Sequence, residues 1–442
     1  MNKKENKISK EIRINKKSAR RNYSNQTGIT LIALVVTIVV LLILAGVSIN
    51  ALFGDSGIIN KAKDAQNKMD QATQKDLDAI NELNNWIDGK INGSSGGNTT
   101  GGNDNPSTTT KISTLVGTVV DKNTKAEDAY GNKITIPKGF KVVAHGTVAG
   151  SATYTYSGDN IPAVQDGIVI ENGTDGNQFV WVPVGTIKNK NNTTNTITLG
   201  RYEFDSDTGA LTSTTPVQVA SVENCTQEVT INTNYKELSV FRAGNSATDS
   251  TAQNATARNL EEFISTTLAN GGYYIARFEA SGTASKITSK YNQTVLGNIT
   301  QPNAAKAARE MYGEIKENNK LVYASDLVNS YAWDTAIIFI QTYSGKTDYA
   351  SHNESKTTKA FTATGKNNDK YCNIWDMSGN AYEWTTEYST RSSLIYFYSC
   401  VYRGGCYYAP NDEAGDYASN RNSAFTTGSL SFCGLRLLIY VK

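Results

Sequence analysis

Side chains able to do covalent or metal chemistry are few in this 442-residue chain. Its five cysteines, Cys225, Cys372, Cys400, Cys406 and Cys433, form no CxxC pair, which argues against a zinc ribbon or a thioredoxin-like site. Four of the five fall late in the chain, where a disulfide suits an oxidising compartment, and the odd total leaves at least one thiol unpaired within a monomer. The two histidines, His145 and His352, lie far apart in sequence, so zinc sites built on histidine and Ser-His-Asp catalysis are poorly supplied. Gly93-Ser94-Ser95-Gly96-Gly97 matches the GxSxG pattern only formally, lacking the strand and helix that would hold Ser95 strained and exposed. Neither GxGxxG nor GxxxxGK[ST] follows a strand pattern.

What the residue types do favour is noncovalent recognition. Between Leu394 and Cys433 the chain concentrates Tyr396, Phe397, Tyr398, Cys400, Cys406, Tyr407, Tyr408, Asn411, Asp412, Asp416, Tyr417, Asn420, Arg421, Phe425, Leu430 and Phe432. Tyrosine with Asn, Ser, Asp and Gly on loops is a paratope-like mixture: rigid aromatic area at low entropic cost beside adaptable hydrogen bonding. A charge-driven nucleic-acid role is unsupported, because 43 basic residues face 41 acidic ones and Arg403 and Arg421 stand almost alone in this region.

The elements that must carry this face begin with an anchor. The run ITLIALVVTIVVLLILAGVSIN from Ile29 has no charge and about the length of a bilayer-spanning helix, so 29–53 is expected to cross a membrane. Lys3, Lys4, Lys7, Lys10, Arg13, Lys16, Lys17, Arg20 and Arg21 precede it and keep residues 1–28 cytoplasmic, which places the C-terminal bulk outside. Residues 58–91, with Ile58, Ala62, Ala65, Met69, Ala72, Ala79, Leu83 and Trp86 at helical steps, predict an amphipathic stalk. The composition of 92–111 collapses to Gly, Ser, Asn and Thr, as in a flexible linker.

From 112 to 442 short β-like runs such as NKITIP, GIVIENG and QFVWVPVG give way to helical spacing around 304–318 and 323–341, then to strands again. The stretch 188–259 reads as a long insertion or set of surface loops. Strands and helices that do not alternate regularly point to an α+β domain.

Six segments, in order, carry a family resemblance. NIWDMSGNAYEW (Asn373–Trp384) resembles the DMxGNVWEW signature of the formylglycine-generating-enzyme-like, C-type-lectin-related superfamily. Arg403-Gly404-Gly405 after Tyr402 is similar to its RGGS segment, Gly434-Leu435-Arg436 to its GFR, and Trp333-Asp334-Thr335-Ala336 to its SWxDA helix. Val180–Gly185 and Tyr273–Glu279 stand where that family opens its core. The resemblance implies a C-type-lectin-like fold. It also implies a calcium position at Asp376 and Glu383 with the carbonyls of Gly379 and Ala381, hard oxygen ligands that suit the ion; no other cofactor is required. The oxidising members carry cysteines at the fourth and ninth residues beyond RGG; here these are Ala409 and Ala414, which offer neither nucleophile nor copper ligand.

The same fold serves as the variable protein of diversity-generating retroelements, where adenine-directed mutagenesis rewrites codons near the C-terminus. Most of the residues named between Leu394 and Cys433 belong to the set reachable from AAY codons, and Arg403, Gly404, Gly405, Gly434 and Arg436 stand between them as fold-keeping positions. At the other end, the Gly28-Ile29 junction resembles a type IV prepilin cleavage site, although Ala33 replaces that family's usual glutamate. The expectation is a single-pass membrane protein, processed by a prepilin peptidase, that displays a receptor- or adhesin-like face to a protein or glycan ligand on another cell, a phage or a host. A minor pilin or pseudopilin head is the alternative reading, and a formylglycine-generating-type oxidoreductase the next. For the anchor, chain recovered from membranes is expected to begin at Ile29 on N-terminal sequencing; an intact Met1 leader would identify an uncleaved signal anchor instead.

Overall fold

A computed structural model describes residues 109–143, 162–217, 229–231, 234–237, 255–354, 360–389, 399–407, 417–425 and 428–442. All belong to one unit, Asn105–Lys442. The expected leader, membrane span, stalk and most of the linker lie outside the described residues; among those described, no helix is long and apolar enough to cross a membrane.

Thirteen strands build the two larger sheets. In chain order they are β1 (Phe140–Val142), β2 (Val169–Asn172), β3 (Gln178–Pro183), β4 (Val229–Ile231), β5 (Tyr235–Glu237), β6 (Gly272–Ala276) and β7 (Glu314–Glu317). They continue as β8 (Lys320–Leu327), β9 (Tyr382–Ser389), β10 (Cys400–Arg403), β11 (Arg421–Ala424), β12 (Cys433–Leu435) and β13 (Leu437–Val441). The helices α1 (Leu260–Asn270), α2 (Gln301–Tyr312) and α3 (Ser330–Tyr343) complete a mostly β domain, the form that the α+β expectation takes.

The first sheet runs β7-β8-β13-β6-β3-β2-β1. Its middle strands β3, β6 and β13 are buried at every residue, which is why QFVWVP, GYYIA and LLIYV are written as continuous apolar runs rather than in alternation. Trp181 meets Tyr274 edge-on at 5.0 Å, and each such large side chain withdrawn from water contributes about 1.5–3 kcal/mol. β13 pairs antiparallel with both β6 (Tyr274 opposite Ile439) and β8 (Leu327 opposite Leu437), so the C-terminal strand is central. Asn123 Nδ2 donates to the carbonyls of Val322 and Lys442, fastening the last residue to the start of the domain.

Two helix expectations are corrected. The spacing at 304–318 ends as helix at Tyr312, because Gly313 caps α2 with φ +62° and the chain turns back into β7. The spacing at 323–341 splits: the first part is β8, paired residue for residue with β13, and α3 starts only after Asn329, whose side chain accepts from Ala332 N. Long-range pairing overrides a helical period that the sequence also satisfies.

The second sheet runs β11-β10-β9-β5-β4, with β12 parallel to β9 (Tyr382 opposite Cys433). It holds Tyr382, Glu383 and Trp384 of the signature on β9, Arg403 on β10 and Gly434 and Leu435 on β12. β5 comes from the stretch read as an uninformative insertion, and so does Arg201, so that stretch is partly structural.

Gly167 offers a sharp test of local fit. It lies at φ +78°, and an added Cβ would come to 1.9 Å from the carbonyl oxygen of Cys372. Gly139, at φ +83°, has nothing within 4 Å of the same position. Gly167→Ala should therefore cost about 3 kcal/mol and Gly139→Ala about 1 kcal/mol in chemical denaturation, a difference due to the clash alone.

Candidate functional site

Beneath the C-terminal region lies a buried ionic network. α3 brings in Asp334, β9 Glu387, β10 Arg403 and β11 Arg421, while Arg201 arrives from the chain after β3. Asp334 takes Arg403 on one oxygen and Arg421 on the other, and also accepts from Tyr202 N at 2.9 Å. Glu387 is paired with Arg201, with Arg421 Nε at 3.1 Å and with Arg403 at 3.5 Å. Burial drives the Glu387 carboxyl up, but Arg421, Arg201 and Arg403 overcome it and hold the group down at about 2. Arg403 Nε donates to Asn420 O at 2.8 Å, so the network also sets the backbone between β10 and β11.

The signature loop is held by a second set. Arg436 grips Glu383 with two bonds, 2.8 and 2.6 Å, and donates to the carbonyls of Ala276 and Trp375. Glu279 accepts from Asn380 Nδ2 at 2.6 Å and Ala381 N at 2.9 Å. Asp376 accepts from Gly365 N and Asn367 Nδ2, and burial followed by the charge of Asp369 pushes its carboxyl up to about 7. Asp369 in turn accepts from Ser378 N, Ser378 Oγ and the Tyr349 hydroxyl.

These contacts bear on the calcium expectation for Asp376, Gly379, Ala381 and Glu383 at one position, Glu383. Both Glu383 oxygens are occupied by the Arg436 guanidinium. Glu383 as placed does not fit the ion, and among the described residues no group of three or more His, Cys, Asp or Glu side chains is arranged to hold a metal.

On this base stands an aromatic face. Tyr382 packs against Tyr402 at 4.7 Å and Phe432 at 5.8 Å between ring centres, and Phe361 meets Tyr407 edge-on at 4.8 Å. Phe361, Tyr382, Tyr407, Leu430 and Phe432 are each half-buried, exposing part of the ring or chain to solvent. The backbone beneath is fixed: Asn380 exchanges two bonds with Thr362, its carbonyl accepts from Tyr407 N at 2.8 Å, and Tyr382 N donates to Phe432 O.

Of the residues expected to meet a ligand, Tyr407, Leu430 and Phe432 are half-buried, Tyr407 against Phe361 and Phe432 against Tyr382. Phe425 is half-buried beside Gly428, and Tyr417 is half-buried against Ser206, its hydroxyl pKa raised by burial. Four expected ligand contacts are corrected. Cys400 and Cys406 are wholly buried, Asn420 is 7 % exposed, and the Arg421 guanidinium is paired with Asp334 and Glu387, so these side chains are turned inward. Tyr396, Phe397, Tyr398, Tyr408, Asn411, Asp412 and Asp416 fall outside the described residues, as do Ala409, Ala414, Gly28 and Ile29. Sequence reading missed Phe361 and Tyr382; Tyr382 occupies the tryptophan position of the signature and reads as a fold residue. Cys372, Cys400, Cys406 and Cys433 are thiols, and burial raises Cys372, Cys400 and Cys433, the reverse of an activated nucleophile.

Residues 171–441, which carry both networks and the aromatic face, match the sulfatase-modifying factor enzyme 1-like domain. The chain belongs to this family. Among solved structures, PvdO from Pseudomonas aeruginosa is 10% identical, covering 62% of this chain and 98% of that one, with a TM-score of 0.30. Treponema denticola variable protein 1 is 11% identical over 61% of this chain and 97% of its own, TM-score 0.23. The Major Tropism Determinant P3c variant is 14% identical over 75% and 98%, TM-score 0.27. No curated protein matches the sequence. For the sulfatase-modifying-factor-like domain, Arg436→Met should cost about 3–5 kcal/mol by leaving Glu383 buried and unpaired, and adding Glu383→Gln should recover most of that. EDTA and added calcium should leave the wild-type melting temperature unchanged; a rise with calcium would restore the metal reading.

Proposed function

We propose that this domain is a noncatalytic ligand-binding module, anchored in a membrane and displayed outside it, whose C-terminal face is diversified by a retroelement. The observation that carries the reading is the half-exposed aromatic face of Phe361, Tyr382, Tyr407, Leu430 and Phe432, resting on ionic pairs that are satisfied internally. Side chains at the face can change while Arg403, Arg421 and Arg436 keep their partners below. Binding then proceeds by shape and hydrogen-bond complementarity to a protein or glycan on another cell, a phage or a host. Copies anchored side by side on flexible linkers gain avidity without new contacts.

Absence of family-type catalysis follows from Ala409 and Ala414 at the expected thiol positions. A pilin or pseudopilin head is favoured by the Gly28-Ile29 junction alone and opposed by Ala33. The deciding test is to sequence the gene and its flanks across isolates, seeking a reverse transcriptase and a template repeat. Substitutions should fall at adenine positions of face codons such as Tyr407 and Phe432 and spare Arg403 and Arg436. An invariant 394–433 segment with no template would sink diversification and leave a fixed adhesin or a pilin head.

A further inference from the structure

The three-residue strand β5 touches more of the C-terminal half than its length suggests. Its backbone pairs with β9 (Lys236 opposite Tyr388, Tyr235 opposite Ser389). Tyr235 packs on Val401 of β10 with Val217 alongside, and its hydroxyl donates to Arg421 O on β11 at 3.0 Å. Glu237 is wholly buried: one oxygen accepts from Ser330 N at 3.0 Å and Ser330 Oγ at 2.7 Å, at the first residue of α3, and the other accepts from Thr386 Oγ1 at 2.7 Å. One short strand therefore clasps β9, β10, β11 and the start of α3.

We propose that β5 is a pH-sensitive buckle for the ligand-bearing half of the domain, closed when Glu237 is protonated and loosened when it ionises. The charged groups that act on it are Arg201 before β4 and Glu387 on β9, which belong to one network with Asp334 on α3, Arg403 on β10 and Arg421 on β11; Lys236 is its neighbour on β5 itself. Burial raises the Glu237 carboxyl, Arg201 lowers it and the Glu387 carboxylate raises it again, leaving it at about 7. Helix α3 presents its N-terminal N–H to the charged form, which offsets part of the desolvation, so both forms are accessible near neutrality. The folded value lies above the ordinary 4.5, so the proton's stabilisation is complete below about 4.5 and is lost as pH rises to about 7. The buckle tightens with acid and slackens above neutral pH, independently of what the face binds.

Amide exchange on the full chain, corrected for the intrinsic pH dependence, reads this out. Protection of peptides spanning 235–237 and 386–389 should fall as pH rises, by at most about tenfold per unit, and level off above about 7. Glu237→Gln, which keeps the acceptor oxygen and cannot ionise, should abolish the slope. A flat wild-type profile, or a slope that survives in E237Q, overturns the proposal. Should the variant fail to fold, NMR titration of carbon-13-labelled glutamate in the wild type decides: a Glu237 carboxyl titrating near 7 supports the buckle, and one titrating near 4.5 removes it.

Discussion

Three guanidinium groups buried against Asp334 and Glu387 are the constraint on which the C-terminal half depends. Taking such charges out of water costs several kcal/mol each, and the cost is offset only if every partner arrives in position. Here the partners come from five places in the chain, Arg201, α3, β9, β10 and β11, so none of those elements can shift without exposing an unpaired buried charge. Apolar packing alone would tolerate many near-equivalent arrangements of the same hairpins. The network selects one of them, and the aromatic face inherits its geometry from that choice.

Legibility in the sequence followed the range of the interaction. The motifs around Asn373, Arg403 and Gly434 identified the fold because their positions have special local geometry: Asp376, Asn380 and Gly404 take left-handed backbone. The apolar runs of β3 and β13 were likewise readable, since burial on both faces removes polar residues altogether. What could not be read was partnership at a distance. Arg201 meets Glu387 across 186 positions and Glu237 meets Thr386 across 149, with no local pattern to announce either. Arg421 shows the opposite failure. Its surroundings in sequence are those of a binding loop, and only the fold reveals that its side chain is turned inward.

A cation tethered to the chain behaves differently from a free one. A carboxylate pair in a signature loop can be held by calcium, whose occupancy follows its concentration, or by a guanidinium that is always present and always charged. With Arg436 gripping Glu383 through both oxygens, the loop beneath Tyr382 has a fixed stoichiometry of one cation per chain.

Asn123 closes the domain by joining its opening segment to Lys442 and Val322, while Gly117 N and Val120 N bond to Val142 O and Phe140 O along β1. Tension arriving along the chain from its N-terminal side meets these bonds before it reaches either sheet. Under the proposed function, the grip on a ligand and these bonds would be mechanically in series, and the weaker of the two would set the force at which an engaged molecule lets go. Rupture strength under shear would then be a property of the Asn123 clasp as much as of the aromatic face.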